Sequence, residues 1–401
     1  MFADRYIQNN IVYPPFIKEE ASPSLSVIVM IPCLNEPEIL RTLESVWACE
    51  PVASYCEVLV VVNDSEKSPE SVKAANQETF EKLLVWKQSN DRKNLVLHPF
   101  YAPSIQAKFA GAGMARKIGM DEAIRRFNAV NRPEGVIVSL DADCLVSPNY
   151  RKRIEQFFSQ SKSCFAATIN FRHRFEEMED ARQEVGIRMY EDYLHYYKQA
   201  LDFAGFPNSI YTIGSAFAVR ADAYVKQGGM NRRQAGEDFY FLHKLTKLGR
   251  LAEITDAFVY PSGRVSDRVP FGTGAAMTKW KNFTEDLALT YRFDAFLDLR
   301  LLFDQVDDFY NVNKNRYAEI LISMPQSIQE YLNTVSMVEK LAEINRNSAT
   351  PESFRKRFFQ VFDAFHVLKF LNMAHESHYQ QQNLPEAIMQ LQDKKIRNIP
   401  A

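Results

Sequence analysis

Short apolar runs alternate with amphipathic stretches over the first 140 residues. Four runs are rich in β-branched residues and lack a polar face, which predicts strands buried on both sides; they are residues 25–31, 58–62, 95–97 and 136–140. The segments between them repeat apolar residues at helical spacing or read as polar helices, and they are residues 38–48, 69–87 and 120–127. Buried strands that alternate with helices predict an α/β fold with a mostly parallel sheet covered by helices on both faces.

The pattern changes further along the chain. Residues 165–171 and 211–220 read as strands, and residues 181–204 read as a long amphipathic helix. After about residue 281 helical patterns dominate. We therefore expect three parts: an irregular lead-in over residues 1–24, an α/β domain over 25–282, and a helical C-terminal region over 283–401.

Composition narrows the class of protein. The chain has 401 residues, of which 46% are hydrophobic and 24% charged, as in ordinary globular proteins. A net charge of −2 gives no electrostatic basis for nucleic-acid binding. The five cysteines are odd in number and show no Cys-x-x-Cys spacing, which favours a reducing compartment. No run approaches the roughly 20 apolar residues of a membrane span. We expect a cytoplasmic protein without a transmembrane segment; peripheral membrane contact is left open.

Two aspartates follow the fourth predicted strand. Asp141 and Asp143 flank Ala142, and residues two apart in an extended chain point the same way. A hard divalent cation that carries phosphate oxygens takes one or two such carboxylates. A polar turn would also favour aspartate. The spacing therefore indicates either a metal–nucleotide site or a turn.

Polar pairs follow two other predicted strands as well. Asn35 and Glu36 come after the first, and Asn63 and Asp64 after the second. In parallel α/β sheets, ligands bind at the carboxyl ends of the strands. The coincidence of three polar strand ends predicts a binding site at that edge.

A second acidic pair lies about 95 residues downstream. Glu237 and Asp238 follow Gly236 and open a segment with an apolar helical stripe. Carboxylates at a helix start are stabilised by the helix dipole, so capping alone would explain the pair. The alternative is a general base that deprotonates an acceptor hydroxyl.

Taken together, these motifs resemble those of family 2 glycosyltransferases with the GT-A nucleotide-sugar-binding fold. Six pieces occur in the family's order between about residues 25 and 250: Pro32-Cys-Leu-Asn-Glu36, Asn63-Asp64-Ser65, Gly111–Gly119, Leu140-Asp-Ala-Asp143, Gly214-Ser215 with Gly228-Gly229, and Gly236-Glu-Asp238. Each piece is short, and their order makes the resemblance specific.

The resemblance implies a role for each matching residue. The nucleotide pocket would be lined by Pro32, Asn35 and Glu36, while Asp64 would hydrogen-bond the base, typically uracil. A loop over residues 111–119 would lie against the nucleotide; it contains Gly113, Arg116 and Lys117.

The remaining implied roles concern the metal and the chemistry. Asp143 would bind a divalent cation, Mn²⁺ or Mg²⁺, and Asp141 would contact the ribose and the metal, with Ala142 between them. Asp238 would be the catalytic base, and Glu237 would support it or contact the acceptor.

The chain departs from the family pattern at several points. The second strand is followed by Asn63-Asp64-Ser65-Glu66 where the family often has Asp-Asp-Gly-Ser, which leaves Asp64 as the safer assignment. Many relatives use a late histidine as a further metal ligand, but no histidine occurs between His243 and His366, so this ligand is unassigned. A loop at residues 261–274 contains Arg264 and Arg268 and is either a diphosphate-binding loop or an ordinary surface loop.

We therefore expect a metal-dependent, inverting glycosyltransferase that moves a sugar from a nucleotide sugar, UDP-sugar favoured, to a hydroxyl of a saccharide or glycoconjugate acceptor. Processive synthases of the family carry membrane helices and a Gln-x-x-Arg-Trp motif, and this chain has neither, which favours single-sugar transfer. Two alternatives stay open. One is a catalytically silent sugar-nucleotide-binding or scaffold protein, and the other is a sugar-phosphate nucleotidyltransferase.

Overall fold

The structure is a computed structural model that describes residues 1–234, 236–266 and 272–397. Its residues group into two compact units. The first comprises Met1–Ile187 and Thr212–Lys281, and the second comprises Arg188–Tyr211 and Asn282–Ala401.

The elements follow one another as an alternation of strands and helices and then as helices. The strands are β1 Leu25–Cys33, β2 Tyr55–Ser65, β3 Leu95–Ile105, β4 Val136–Ser139, β5 Leu145–Val146, β6 Ala166–Phe171, β7 Phe217–Arg220, β8 Ala252–Tyr260, β9 Leu289–Thr290 and β10 Gln382–Asn383. The α-helices are α1 Asp4–Asn10, α2 Ile39–Trp47, α3 Glu70–Asn90, α4 Ala112–Ala129, α5 Tyr150–Gln160, α6 Ala181–Ala204, α7 Ala221–Lys226, α8 Glu237–Leu245, α9 Thr273–Lys281, α10 Phe293–Asp304, α11 Lys314–Ser323, α12 Gln326–Thr334, α13 Met337–Arg346, α14 Pro351–Val361, α15 Ala364–Ser377 and α16 Leu384–Arg397.

The described residues of the first unit form an eight-stranded mixed sheet in the order β3-β2-β1-β4-β7-β6-β8-β5. The pairs β3–β2, β2–β1, β1–β4 and β6–β8 are parallel. Strand β7 is antiparallel to both β4 and β6. Consequently β1, β2, β4, β6 and β8 all end at the same edge of the sheet, and β7 begins there. This edge carries the candidate site.

Burial explains why these sequences form central strands. In β1 and β2 nearly every side chain is buried, so neither strand has a polar face. Helix α2 covers one face of the sheet with Leu43, Val46 and Trp47, and these belong to the same core as Val29 of β1 and Val60 of β2. The predicted α/β class with a mostly parallel sheet and C-terminal helices is confirmed.

Several local features differ from the prediction, among them helix α1 inside the lead-in that was expected to be irregular. Residues 112–119 are not a loop but the first turns of α4, where the glycines permit close packing; a Cβ on Gly119 would lie 2.4 Å from the Met30 side chain. The strand predicted over 211–220 is limited to β7, Phe217–Arg220. Strand β8 was not predicted, because its exposed polar residues Thr255 and Asp256 interrupt the apolar run.

The second unit is largely helical in its described residues and includes the short β9–β10 ladder. Its core is rich in aromatic residues: Phe303, Phe358 and Phe362 are buried, and Phe362 packs against the other two. No helix in the described parts of the chain is long and apolar enough to cross a membrane. None of the five cysteines forms a disulfide.

Candidate active site

The turn after β4 carries the first acidic pair. Thr42 of α2 donates a hydrogen bond from Oγ1 to the Ala142 carbonyl at 2.8 Å. Arg174, which follows β6, donates from Nη2 to the Asp143 carbonyl at 2.9 Å. These bonds hold the backbone of the turn, while the side chains of Asp141 and Asp143 stay 34% and 25% exposed. The turn therefore presents two partly accessible carboxylates at the edge of the sheet.

Arg116 joins this turn to the second acidic pair. Its side chain is buried on α4 and donates from Nη1 to Glu237 and from Nη2 to Asp141. Gly214, just before β7, lies against the guanidinium, since a Cβ there would stand 2.5 Å from Nη2. The one positive charge of this buried cation offsets one of the two negative charges that it bridges. One side chain thus fixes the distance between two motifs that are far apart in sequence.

Glycine also allows helix α8 to approach α4. A Cβ on Gly113 would lie 2.2 Å from the Arg233 carbonyl oxygen and 2.9 Å from Cβ of Glu237. Any side chain at position 113 would therefore push the acidic helix start away from Arg116.

Asp238 opens helix α8 beside Glu237, as predicted for a helix that starts with an acidic pair. Burial, together with the nearby Glu237 charge, raises the pKa of Asp238 to about 6, while Arg116 opposes the rise. Its carboxylate accepts a hydrogen bond from the Phe239 amide at 2.8 Å. A carboxyl with a pKa in this range is suited to exchange a proton near neutral pH.

A second arginine lies between two strand ends. Arg264, which follows β8, forms a two-pronged ion pair with Glu36 through Nη1 at 2.9 Å and through Nη2. The same Nη2 lies 3.3 Å from Oδ2 of Asp143. Glu36 is almost fully buried, whereas the Arg264 side chain is 30% exposed. Arg268 of the same predicted loop lies outside the described residues.

The ends of β1 and β2 are tied together by one buried amide. Asn76 of α3 accepts a hydrogen bond from the Asn35 amide at 2.7 Å and donates one to the Asn63 carbonyl at 2.9 Å. Asn35 has a left-handed backbone with φ 46°. Asn76 therefore holds the two polar strand ends that were predicted to face the nucleotide at a fixed distance from each other.

Asp64 is buried and already engaged. Its carboxylate accepts hydrogen bonds from the Tyr101 hydroxyl at 2.5 Å and from the Ser104 amide at 2.6 Å. An ionised carboxylate has about four acceptor positions, so these two bonds leave capacity for a ligand donor. Its contact with a nucleotide base stays a prediction.

Lys117 and Pro32 contact other parts of the protein and not the two acidic pairs. Lys117 is buried and pairs with Asp121 at 2.8 Å, and its Nζ also lies 3.3 Å from the Tyr6 hydroxyl. Pro32 lies near the end of β1 and is paired in register with Val61 of β2. The structure thus places Arg116 among Asp141, Glu237 and Asp238, hereafter the acidic cluster, whereas its neighbour Lys117 contacts other partners.

Sequence reasoning missed the residues that hold the site from behind, namely Thr42, Asn76 and Arg174. Thr42 and Asn76 lie inside helices, and Arg174 follows a strand without a motif around it. Only the tertiary structure reveals which backbone groups they bind.

The donor set fits a divalent cation that brings phosphate oxygens with it. Asp141 and Asp143 supply the one or two carboxylates that Mg²⁺ usually takes from protein in such sites. Within residues 1–234, 236–266 and 272–397 there is no cluster of three or more His, Cys, Asp or Glu that could hold a metal alone. A cation here would therefore need ligands from the substrate or from water.

Comparisons with known proteins give similarity in fold. No protein-family model and no curated protein matches the sequence. Among solved structures, TarS residues 1–349 from S. aureus in complex with UDP-GlcNAc is similar at 13% identity and a TM-score of 0.42, covering 84% of this chain and 92% of that one. The mannosyltransferase PcManGT from Pyrobaculum calidifontis in complex with GDP-Man and Mn²⁺ is similar at 14% identity and a TM-score of 0.38, covering 98% and 93%. At such low identity and TM-score these resemblances do not assign a function to this chain.

Proposed function

We propose that this protein is a metal-dependent, inverting glycosyltransferase. It transfers a sugar from a nucleotide sugar, with UDP-sugar favoured, to a hydroxyl of a saccharide or glycoconjugate acceptor. One observation carries the proposal: Arg116 joins the Asp141–Asp143 turn to the Glu237–Asp238 helix start. These contacts lie beyond the carboxyl ends of the parallel strands, which is where ligands bind in α/β sheets generally.

The reaction needs two different kinds of carboxylate, and the cluster offers both. Sugar transfer separates charge, because a diphosphate leaves while an acceptor hydroxyl attacks. A divalent cation held by Asp143 and Asp141 would act as a Lewis acid that neutralises the departing diphosphate. The partial exposure of these two carboxylates supports that role, since they are reachable by a ligand.

Asp238 is proposed as the general base. With a pKa of about 6 the carboxylate is ionised at neutral pH and still basic enough to accept the acceptor's proton as the new bond forms. Such general-base assistance contributes roughly 10²–10⁴-fold to a rate. Attack directed by Asp238 from the side opposite the diphosphate would invert the anomeric centre.

Glu237 is proposed as a positioning residue. It is almost fully buried, and its carboxylate is bound by Arg116, so its charge is compensated within the protein. Its nearby charge helps to raise the pKa of Asp238. Glu237 would therefore tune and orient the base and leave proton transfer to Asp238.

For the nucleotide, we propose that the strand ends held by Asn76 form the base and ribose pocket. Asp64 would accept a hydrogen bond from the N3–H group of uracil with its remaining acceptor capacity. Asn35 and Pro32 would line the same pocket.

Ligand-induced thermal stabilisation tests this proposal. We would screen UDP-sugars and GDP-sugars with and without Mn²⁺ on the full chain and on Asp143→Asn and Asp64→Asn variants. We expect a Mn²⁺-enhanced shift with UDP-sugars that Asp143→Asn loses, and a UDP shift that Asp64→Asn reduces. A shift with GDP and none with UDP would contradict the uracil assignment. No shift with any nucleotide sugar would contradict the glycosyltransferase proposal as a whole.

A further inference from the structure

Arg264 occupies the place where a cation is expected. Its guanidinium contacts the carboxylates of Glu36 and Asp143, which come from the ends of β1 and β4. The two contacts are unequal. Glu36 is bound by both terminal nitrogens, whereas Asp143 is approached at 3.3 Å by Nη2 alone. Arg264 therefore forms a two-pronged ion pair with Glu36 and a weaker, single contact with Asp143.

The surroundings of the two carboxylates differ in the same direction. The Glu36 side chain is 2% exposed, so its charge needs a permanent partner. The Asp143 side chain is 25% exposed and can exchange its partner with solvent species. Its backbone is held independently by the Arg174 bond to the Asp143 carbonyl, so a change of partner at the side chain does not release the turn.

We propose that Arg264 is a counter-cation for Asp143 and competes with the divalent metal for this carboxylate until a nucleoside diphosphate binds. Without nucleotide, the guanidinium screens Asp143 and weakens metal binding. When the metal binds together with the diphosphate, Asp143 would exchange Arg264 for the metal as its partner. Arg264 would then bind phosphate oxygens, which are good ligands for arginine. Glu36 is the positioning residue that keeps Arg264 within reach. The inference rests on the proposed metal–diphosphate function of the same site.

The consequence is a coupling between metal and nucleotide that can be measured without catalysis. Removal of Arg264 should tighten Mn²⁺ binding to the nucleotide-free protein and weaken UDP binding at saturating Mn²⁺. Removal of Glu36 should weaken Mn²⁺ binding to the nucleotide-free protein. Of the two carboxylates, only Asp143 would then be left for Arg264 to pair with. An arginine that is merely structural would produce neither pattern.

We would measure free Mn²⁺ by electron paramagnetic resonance in titrations of the full chain, with and without UDP. In the absence of UDP we expect the Mn²⁺ dissociation constant to fall about fivefold in Arg264→Gln, the upper range for one partly exposed ion pair. It should rise in Glu36→Gln, and the double variant Glu36→Gln/Arg264→Gln should bind Mn²⁺ more tightly than Glu36→Gln alone. With UDP present, the affinity of Arg264→Gln for UDP should fall.

Arg41→Gln is the matched control. Arg41 of α2 also carries one positive charge in an ion pair with two carboxylates, but its partners are Glu38 and Glu177. We expect its Mn²⁺ dissociation constant to stay within twofold of the parent protein. Circular dichroism and thermal unfolding would confirm that each variant is folded.

The outcomes separate the inference from the function on which it rests. If Asp143→Asn weakens Mn²⁺ binding but Arg264→Gln leaves it unchanged or weakens it, the counter-cation role is wrong and the metal site stands. An equal gain in Arg41→Gln would also overturn the role, since the effect would be general electrostatics. If no variant binds Mn²⁺ even with UDP, both the metal site and the role assigned to Arg264 are wrong.

Discussion

Replacement of Arg116 by glutamine is the sharpest structural test of the acidic cluster. The change removes the cation shared by Glu237 and Asp141. The Glu237 side chain is 3% exposed, so its charge would be left in the interior without this partner. Loss of one partner of a buried ion pair costs about 3–5 kcal/mol of unfolding free energy.

For a unit of this size, each kcal/mol lowers the melting temperature by roughly 2–4 °C, so Arg116→Gln should lower it by roughly 6–20 °C. Urea unfolding followed by circular dichroism would give the free energy, and scanning calorimetry the melting temperature. The double variant Arg116→Gln/Glu237→Gln removes both charges and should recover much of the loss, because no buried carboxylate remains at position 237.

The single variant Arg116→Gln should also change the pH dependence of the rate. Arg116 opposes the rise in the pKa of Asp238, so its removal should move that pKa above about 6. The acidic limb of the pH–rate profile should then shift to higher pH. A loss of less than about 1 kcal/mol in Arg116→Gln, with no recovery in the double variant, would refute the reasoning that a buried pair holds the cluster.

Three further predictions follow from the same geometry. In the parent protein, protonation of Asp238 should lower kcat/KM about tenfold per pH unit below about pH 6. Because the pKa of Asp238 in the folded protein lies above the ordinary 3.8, its ionisation opposes folding, and the free energy of unfolding should fall as the pH rises from about 4 to about 6. Asp238→Asn should therefore be inactive yet more stable than the parent protein at pH 7.5 in urea titrations. Asn76→Asp keeps the acceptor for the Asn35 amide but loses the donor to the Asn63 carbonyl of β2, so we expect weaker UDP binding by calorimetry with a smaller effect on kcat. Unchanged UDP affinity would contradict the bridging role. Gly214→Ala places a methyl group against the Arg116 guanidinium, so the loss of kcat/KM, expressed as a free energy, should exceed the loss of unfolding free energy. Full activity would show that the position of the guanidinium is not critical.

The sequence predicted the frame of the site because strand ends are encoded locally. Apolar β-branched runs in β1, β2 and β4 stop at polar residues, and parallel order then brings those ends to one edge. The acidic start of α8 was also readable, because glycine followed by two carboxylates precedes an apolar helical stripe. Local signals therefore sufficed to find Asp141, Asp143 and Asp238 as candidates.

The contacts between these pieces were not readable from the sequence. Nothing local indicates that Arg116 would turn to Asp141 and Glu237 while its neighbour Lys117 pairs with Asp121, because adjacent helical residues face different surroundings. The family resemblance implied a loop over residues 111–119, but residues 112–119 form the start of helix α4, where Gly113 and Gly119 allow close packing against Glu237 and Met30. Long-range partners decide both outcomes.

The most direct test of the central claim is donor turnover in matched variants. We would measure sugar release from a UDP-sugar with Mn²⁺ for the parent protein, Asp143→Ala and Asp238→Asn, and UDP binding in the same samples. We expect turnover by the parent protein, loss of turnover in both variants, and retention of nucleotide binding in Asp238→Asn. Tight UDP binding by the parent protein with no turnover on water or any acceptor, or full turnover by Asp238→Asn, would contradict the central claim.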